Sequence, residues 1–207
     1  MERKEFFSAK RMTGMSVLLA LVIVLQALGG TISIGMVQLN FTLIPIVLGA
    51  ILYGAIVGGI LGFACGLVIL IQVIMGGSPF YVIIWSYTPV IAALTCIVKT
   101  TAAGLVAGWL FKLVSKKNVY VGLFVASGIV PVVNTALFIV GCLFMNESIL
   151  AFQAMLPDVA GMNIFVFILV VLVTFNFFIE LALNLLVTPA LHRVIGIVDK
   201  KYKRKKV

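Results

Sequence analysis

Six long apolar runs, separated by short polar or glycine-containing breaks, make up most of this 207-residue chain. A helix needs about 20 apolar residues to cross the hydrocarbon core of a bilayer, because each residue adds about 1.5 Å along the axis. The pattern therefore predicts an all-α, polytopic membrane protein with six transmembrane helices. The predicted spans run approximately over Met12–Leu28, Leu39–Tyr53, Ile56–Met75, Val90–Val114, Val119–Phe144 and Met162–Ile197.

The residues at and between these runs carry further predictions. Pro45, near the start of the short second run, predicts a broken or tilted helix, and Pro131 predicts a kink in the fifth. The glycines and proline of 76–79 predict a loop, and the aromatic segment Phe80–Thr88 behind it is interpreted as a short interfacial element. The segment Met145–Gly161 contains no basic residue and is predicted to be an outer loop.

Basic residues lie at the ends of the chain and around one turn. Fourteen of the 15 Lys and Arg residues fall in the predicted inner loops and tails or at the span ends next to them, and none falls in the outer loops. Because cytoplasmic loops are enriched in Lys and Arg, both termini are predicted to be cytoplasmic. We expect residues 1–207 to form a single transmembrane domain in the plasma membrane of a prokaryote, with cytoplasmic basic tails at 1–11 and 198–207. This placement of the +9 net charge argues against nucleic-acid binding.

The composition leaves no room for a soluble catalytic domain, since 63% of the residues are hydrophobic and 10% are charged. The sequence has no nucleotide-binding glycine pattern, no metal-ligand cluster and no nucleophile motif. We therefore expect a non-enzyme without a cofactor or metal. The three cysteines, Cys65, Cys96 and Cys142, lie inside apolar runs and are interpreted as small buried side chains. A polytopic chain that has no ATP site has little means of coupling energy alone, which suggests a subunit of a larger assembly.

Two charged residues interrupt the apolar runs. Lys99 lies about ten residues into the fourth predicted span and Glu180 about sixteen into the sixth, so both fall near the bilayer midplane. A buried charge there costs on the order of 3 kcal/mol on insertion scales. Three interpretations stay open: a structural ion pair between Lys99 and Glu180, a substrate contact by Lys99, and a proton-carrying role for Glu180.

Other positions in the spans predict how the helices pack. Asn176, Glu180 and Asn184 recur every four residues, so they share one face that should point at other helices. Asn134 is interpreted as satisfying the carbonyl that Pro131 releases. Glycines at four-residue intervals in the third and fourth spans predict close contact between helix backbones. These are Gly58, Gly62 and Gly66 in one span, and Gly104 and Gly108 in the other.

A group of amide and aromatic residues clusters by depth near the outer ends of the second, fourth and sixth spans. Aromatic rings beside a few orienting polar groups are typical of small-molecule pockets, although an interfacial aromatic belt would look similar. The candidate pocket residues are Gln38, Asn40, Trp85, Tyr87 and Asn163, with Lys99 below them.

At this level of detail the chain resembles a substrate-binding S component of an energy-coupling factor (ECF) vitamin transporter. The resemblance covers nearly the whole chain, with its length, its six predicted spans and its cytoplasmic termini. The segments that carry it are Leu39–Pro45, Gly49–Gly54, Lys99–Gly108 with Lys112, Pro131–Thr135, and Glu180–Asn184 with Pro189.

The resemblance implies a subunit that captures a vitamin at the outer face, topples in the membrane and delivers it inward. Its implied partners are a transmembrane T component and two ATPase subunits, which hydrolyse the ATP. Members of the family dock on the T component through small residues of the first span, here Gly14, Ser16 and Ala20, with serine replacing the usual first alanine.

The substrate is less sharply indicated. A buried Lys99 would suit an anion, so pantothenate is the first candidate. Riboflavin is the second, because riboflavin-binding members tend to carry acidic residues where this chain has Asn40. Another vitamin or precursor follows closely.

Other classes of protein fit parts of the pattern. The main alternative is a stand-alone, proton-coupled secondary transporter in which Glu180 carries the proton. A membrane-embedded enzyme and an assembly subunit that binds no ligand are the remaining ones.

Overall fold

The fold is an all-α membrane bundle in which short helices join long ones. The computed structural model describes residues 9–29, 33–34, 37–38 and 41–203. Two two-residue strands, β1 (Ser33–Ile34) and β2 (Val37–Gln38), pair antiparallel between the first two helices. The helices are α1 (Ala9–Gly29), α2 (Leu43–Tyr53), α3 (Ala55–Ile74), α4 (Pro79–Tyr87), α5 (Pro89–Val114), α6 (Val119–Phe144), α7 (Asn146–Ala154), α8 (Ile164–Phe167) and α9 (Thr174–Lys203).

Five helical stretches of the described chain are long and apolar enough to cross a membrane. They correspond to the first, third, fourth, fifth and sixth predicted spans. The second predicted span is the 11-residue helix α2, which is about 16 Å long and too short to cross a bilayer unaided. Most of its side chains are buried, and it packs on α1, α3, α5, α6 and α9. The count of six crossings and the cytoplasmic position of the termini stay predictions.

The surface of the bundle is apolar, as lipid contact requires. Large hydrophobic side chains on separate helices point outward, including Val90 on α5 and Phe175 and Leu186 on α9. Leu186 is 75% exposed. In water such a surface would drive association, whereas lipid tails solvate it at no cost.

Helices α3 and α5 form the most extensive contact in the bundle, along the glycines that the sequence singled out. A Cβ atom on Gly58 would lie 2.5 Å from the Gly104 carbonyl oxygen, and one on Gly66 would lie 2.7 Å from that of Cys96. Between them, Gly62 faces the Thr100 carbonyl. Side chains at these positions would force the two backbones apart, so the prediction of close helix contact is confirmed.

A polar network ties α1 to the centre of the bundle. The side-chain Nε2 of Gln26 donates to Gln72 Oε1 at 3.1 Å, and Gln72 Nε2 donates back to the Gln26 carbonyl at 3.0 Å. The Thr42 hydroxyl donates to Gln26 Oε1 at 3.3 Å and lies 3.0 Å from the Cys65 thiol. Because buried amides need hydrogen-bond partners, this network fixes where α1 meets α2 and α3.

Two short helices cover one end of the bundle. Helix α4 confirms the short element expected after the 76–79 loop; the Ser78 hydroxyl caps it by accepting from Tyr81 N at 3.2 Å. The segment 145–161, predicted only as a loop, contains helix α7. Its Gln153 side chain donates to the carbonyls of Val159 and Met162 at 2.9 and 2.8 Å, which holds the following turn.

The last predicted span is one continuous helical path with an irregular middle. Helix α8 leads into a π-helical segment, Ile168–Val173, and then into α9. The Thr174 hydroxyl donates to the Leu169 carbonyl at 2.7 Å across this segment. Wider π-helical turns often occur at functional positions, since they shift the register of the side chains that follow.

Candidate functional site

A cavity lies inside the bundle, beneath helix α4. The empty space between its walls is about 740 Å³, a figure that includes the solvent-filled mouth. Helices α4, α5, α6 and α9 and the π-helical segment contribute most of its wall, and Gln26 reaches it from α1. The polar lining residues are Gln26, Thr95, Lys99, Asn134, Thr135, Asn176 and Glu180.

Aromatic rings form one part of the wall. Phe80 is buried and packs edge-on against Phe138 of α6, with ring centroids 6.3 Å apart, and against Phe152 of α7 at 5.1 Å. Tyr81 and Ile84 of α4 also line the cavity. Helix α4 thus supplies an apolar and aromatic cover, positioned by its contacts with α7.

Lys99 and Glu180 both line this cavity. The Lys99 ammonium lies 5.0 Å from the centroid of the Phe138 ring, a cation–π distance. Glu180 is 2% exposed, and its backbone carbonyl accepts from Asn184 Nδ2 at 2.8 Å. A direct ion pair between Lys99 and Glu180 stays a prediction.

Two asparagine amides also line the cavity. Asn134 of α6 is 4% exposed, and Asn176 of α9 lies one turn before Glu180. The Oδ1 atoms of both are buried and have no hydrogen-bond partner within the described residues. Asn134 therefore lines the cavity, and a bond from its amide to the carbonyl released by Pro131 stays a prediction.

Of the predicted pocket residues, some line the cavity and others do not. Lys99 lines the cavity, but Trp85 is half-buried against the core and Tyr87 is 58% exposed. Asn163 caps α8 by accepting from Phe165 N at 2.9 Å. Gln38 is described only as part of β2, and Asn40 lies outside the described residues.

A comparison with protein families decides what kind of molecule carries this cavity. The model of the ECF transporter substrate-specific component family matches residues 10–192. The chain belongs to this family. No curated protein matches the sequence. As an S component, the chain is a multi-pass membrane protein and a transporter subunit, and its internal cavity is the candidate substrate site.

The docking residues expected in this S component occupy two sides of α1. Ser16 and Ala20 are exposed and one turn apart, so they share an outward face. Gly14 instead packs on Tyr53 of α2, where an added Cβ would collide with the phenol oxygen. The Arg11 guanidinium, also on α1, donates to the Tyr53 carbonyl. The structure therefore joins Ser16 and Ala20, and places Gly14 in the α1–α2 contact.

Several residues that line the cavity of the S component carry no clear signal in the sequence. Phe80, Tyr81 and Phe138 were hidden among many aromatic residues of an apolar chain, and Gln26 gave no spacing signal. The intramembrane amides Asn134 and Asn176 were detectable, because polar side chains are costly in the bilayer and mark sites. Within the described residues, no group of three or more His, Cys, Asp or Glu is placed to hold a metal ion.

Proposed function

We propose that this S component captures a water-soluble vitamin in the cavity beneath α4 and delivers it to the cytoplasm. It works with a T component and two ATPase subunits, which hydrolyse the ATP, and it needs no cofactor of its own. Its location is the plasma membrane of a prokaryote. The observation that carries the proposal is a buried cavity in which an ammonium, several amides and three aromatic rings converge.

Pantothenate is the first candidate substrate and riboflavin the second. Pantothenate carries a carboxylate, an amide and two hydroxyls, and the cavity offers it Lys99 together with neutral amide partners. An ammonium–carboxylate hydrogen bond in a buried site contributes roughly 1.5–3 kcal/mol. Riboflavin would use the aromatic wall for its ring system and the amides for its ribityl hydroxyls.

A tryptophan-fluorescence titration tests the proposal on the purified protein in detergent. Trp85 packs against the core beside the cavity, whereas Trp109, the other tryptophan of the chain, is exposed further along α5. A Trp109→Phe background therefore isolates Trp85 as the reporter. Saturable quenching by one compound from a panel of B vitamins would identify the cargo, and no response from a folded sample would contradict vitamin capture.

A matched pair of ligands tests whether Lys99 binds the carboxylate of pantothenate. Pantothenol replaces the carboxylate of pantothenate with an alcohol. Lys99→Met should weaken pantothenate binding about tenfold or more, the equivalent of one lost charged hydrogen bond, and should change pantothenol binding little. Lys112→Met, on the exposed end of the same helix, is the control. Equal losses for the two ligands would remove Lys99 from carboxylate recognition.

A proton-coupled secondary transporter is the second candidate, because Glu180 is a buried carboxyl in the cavity wall. That function requires uptake in cells that lack any T component, and its abolition by Glu180→Gln. Uptake that depends on the T component and survives Glu180→Gln favours the S-component mechanism.

A further inference from the structure

Asn134 is a polar side chain with an unusual environment for the interior of a membrane bundle. It is 4% exposed and lines the cavity, and its Oδ1 has no hydrogen-bond partner among the described residues. Asn176, on α9 across the cavity lining, has a buried Oδ1 in the same condition. Buried amide oxygens are almost always hydrogen-bonded in folded proteins, so two such atoms in one cavity require an explanation.

We propose that Asn134 and Asn176 form an amide subsite that accepts hydrogen bonds from hydroxyl groups of the substrate. This inference rests on the proposed function and names the substrate class of the same cavity. The substrate is a small polyol-like molecule whose hydroxyl groups enter the bilayer-embedded part of the protein. An apolar, flat ligand would leave both oxygens buried and without a hydrogen-bond partner, which costs free energy in a protein interior.

The spacing along the helices positions this subsite relative to Lys99. Asn134 and Phe138 are four residues apart on α6, so they lie on one face about 6 Å apart along the axis. The Lys99 ammonium sits over the Phe138 ring. A ligand that places an anionic group at Lys99 therefore lies beside the face of α6 that carries Asn134.

The α9 wall of the cavity also carries two polar residues four positions apart. Asn176 and Glu180 are also four residues apart and share a face of α9. The α9 wall of the cavity therefore presents a neutral amide and a carboxyl group one turn apart, and the ammonium of Lys99 on α5 lies beside the Phe138 ring of α6. A ligand with an acidic group at Lys99 and hydroxyl donors at the two amides would use more of this wall than a compact ion.

The competing explanation is purely structural. In it, the Asn134 amide reorients to donate to the carbonyl that Pro131 leaves without a partner, and its oxygen has no role in binding. Removing the amide would then lower stability and would affect every ligand alike. Discrimination between ligands that differ only in their hydroxyls separates the two explanations.

The experiment measures binding of two matched probe pairs to the purified, full-length protein by calorimetry. Pantothenate is paired with N-(3,3-dimethylbutanoyl)-β-alanine, which retains the carboxylate and amide but lacks both hydroxyls. Riboflavin is paired with lumiflavin, which lacks the ribityl chain. The variants are Asn134→Leu and Asn176→Leu, with Asn134→Ala as the milder alternative if the leucine variant does not fold. Asn146→Leu, at an exposed position at the start of α7, is the control.

For whichever hydroxylated probe the wild type binds, Asn134→Leu should weaken binding about tenfold, as expected for one lost hydrogen bond in a buried site. The affinity for the hydroxyl-free partner should change by less than about threefold. Asn134→Asp, which keeps an oxygen acceptor at this position, should recover part of the affinity. The control variant should bind as the wild type does.

Three results would overturn the inference. Equal losses for both members of a pair would assign Asn134 to structure, and unchanged affinity for both would remove it from the site. Wild-type binding confined to a vitamin without hydroxyl groups would contradict the subsite while vitamin capture stands. If the folded wild type binds no vitamin of the panel, the proposed function and the subsite fail together.

Discussion

Lys99 and Glu180 are the charged side chains among the described residues that line the cavity. Each alone would cost on the order of 3 kcal/mol near the middle of a bilayer. In the predicted Lys99–Glu180 pair the opposite charges would compensate each other, and removal of one partner would leave a buried charge without its counter-ion. Such a pair would affect both the stability of the bundle and the net charge that the cavity presents to a ligand.

Lys99→Ala should accordingly lower thermal stability more than the double variant Lys99→Ala with Glu180→Ala does. The single change leaves a carboxylate that is 2% exposed, whereas the double change removes both charges. Single-partner removal from a buried pair typically costs about 3–5 kcal/mol. Unfolding temperatures in detergent, without ligand, measure the difference. Lys112→Ala controls for loss of a basic residue from α5, and equal damage by the single and double variants would show that Lys99 is not compensated by Glu180.

At the scale of elements, α1 presents two different surfaces. Ser16 and Ala20 face outward, whereas Gly14 packs on Tyr53 and Gln26 joins the network at the end of the cavity. One helix therefore carries a candidate docking face for the T component and a side chain of the candidate substrate cavity. Small residues on an exposed helix face permit close approach of another membrane helix.

Ala20→Trp should abolish assembly with the T component and transport, and should leave ligand affinity and unfolding temperature unchanged. The indole would occupy the outward face without touching the bundle. Co-purification with the T component and uptake in cells measure the first effects, and titration measures the second. Leu186→Trp, at an exposed position of α9, controls for bulk on the lipid-facing surface. Normal assembly by Ala20→Trp would contradict the docking assignment.

Gly14→Ala should lower the unfolding temperature and leave assembly with the T component intact. The added methyl group would displace Tyr53 from the α1–α2 contact.

The elements were largely predictable because they depend on long-range averages of hydropathy. Apolar runs and their glycine or proline ends located the long helices. The four-residue glycine spacing in the third and fourth spans predicted close backbone contact, which the structure shows between α3 and α5. Helix α7 was not predicted, since a nine-residue helix with mixed polarity has no strong periodic signal. Its position depends instead on tertiary contacts such as the Phe80–Phe152 ring pair.

The site was less predictable because it depends on which face of a helix turns inward. Trp85 and Tyr87 were selected by depth, and they lie in the same helix as Phe80 and Tyr81, which line the cavity. In a short helix with apolar residues on every side, hydropathy does not distinguish the faces. Lys99, Asn134 and Asn176 could be singled out because polar groups inside a membrane are rare whatever face they occupy.

At the scale of the whole molecule, the long helices connect two chemically distinct ends. Helix α6 has 26 residues and spans about 39 Å, enough to cross the hydrocarbon core of a bilayer. Before its first residue lies the basic turn with Lys116 and Lys117. After its last lie α7 and the turn with Asp158. Basic residues favour the cytoplasmic side, so the cavity beneath α4 should open to the outside.

Cysteine labelling of intact cells tests this orientation. Cys65, Cys96 and Cys142 are all buried, so the natural protein should react weakly with a membrane-impermeant maleimide. Asp158→Cys should label in intact cells because position 158 is exposed in the turn after α7. Lys117→Cys, equally exposed at the opposite end of α6, should label only after the membrane is permeabilised. Both variants must keep wild-type ligand affinity, which shows that the fold is intact. The reverse labelling pattern would place the basic turn outside and the mouth of the cavity on the cytoplasmic side. That orientation would be incompatible with capture of a vitamin from the medium.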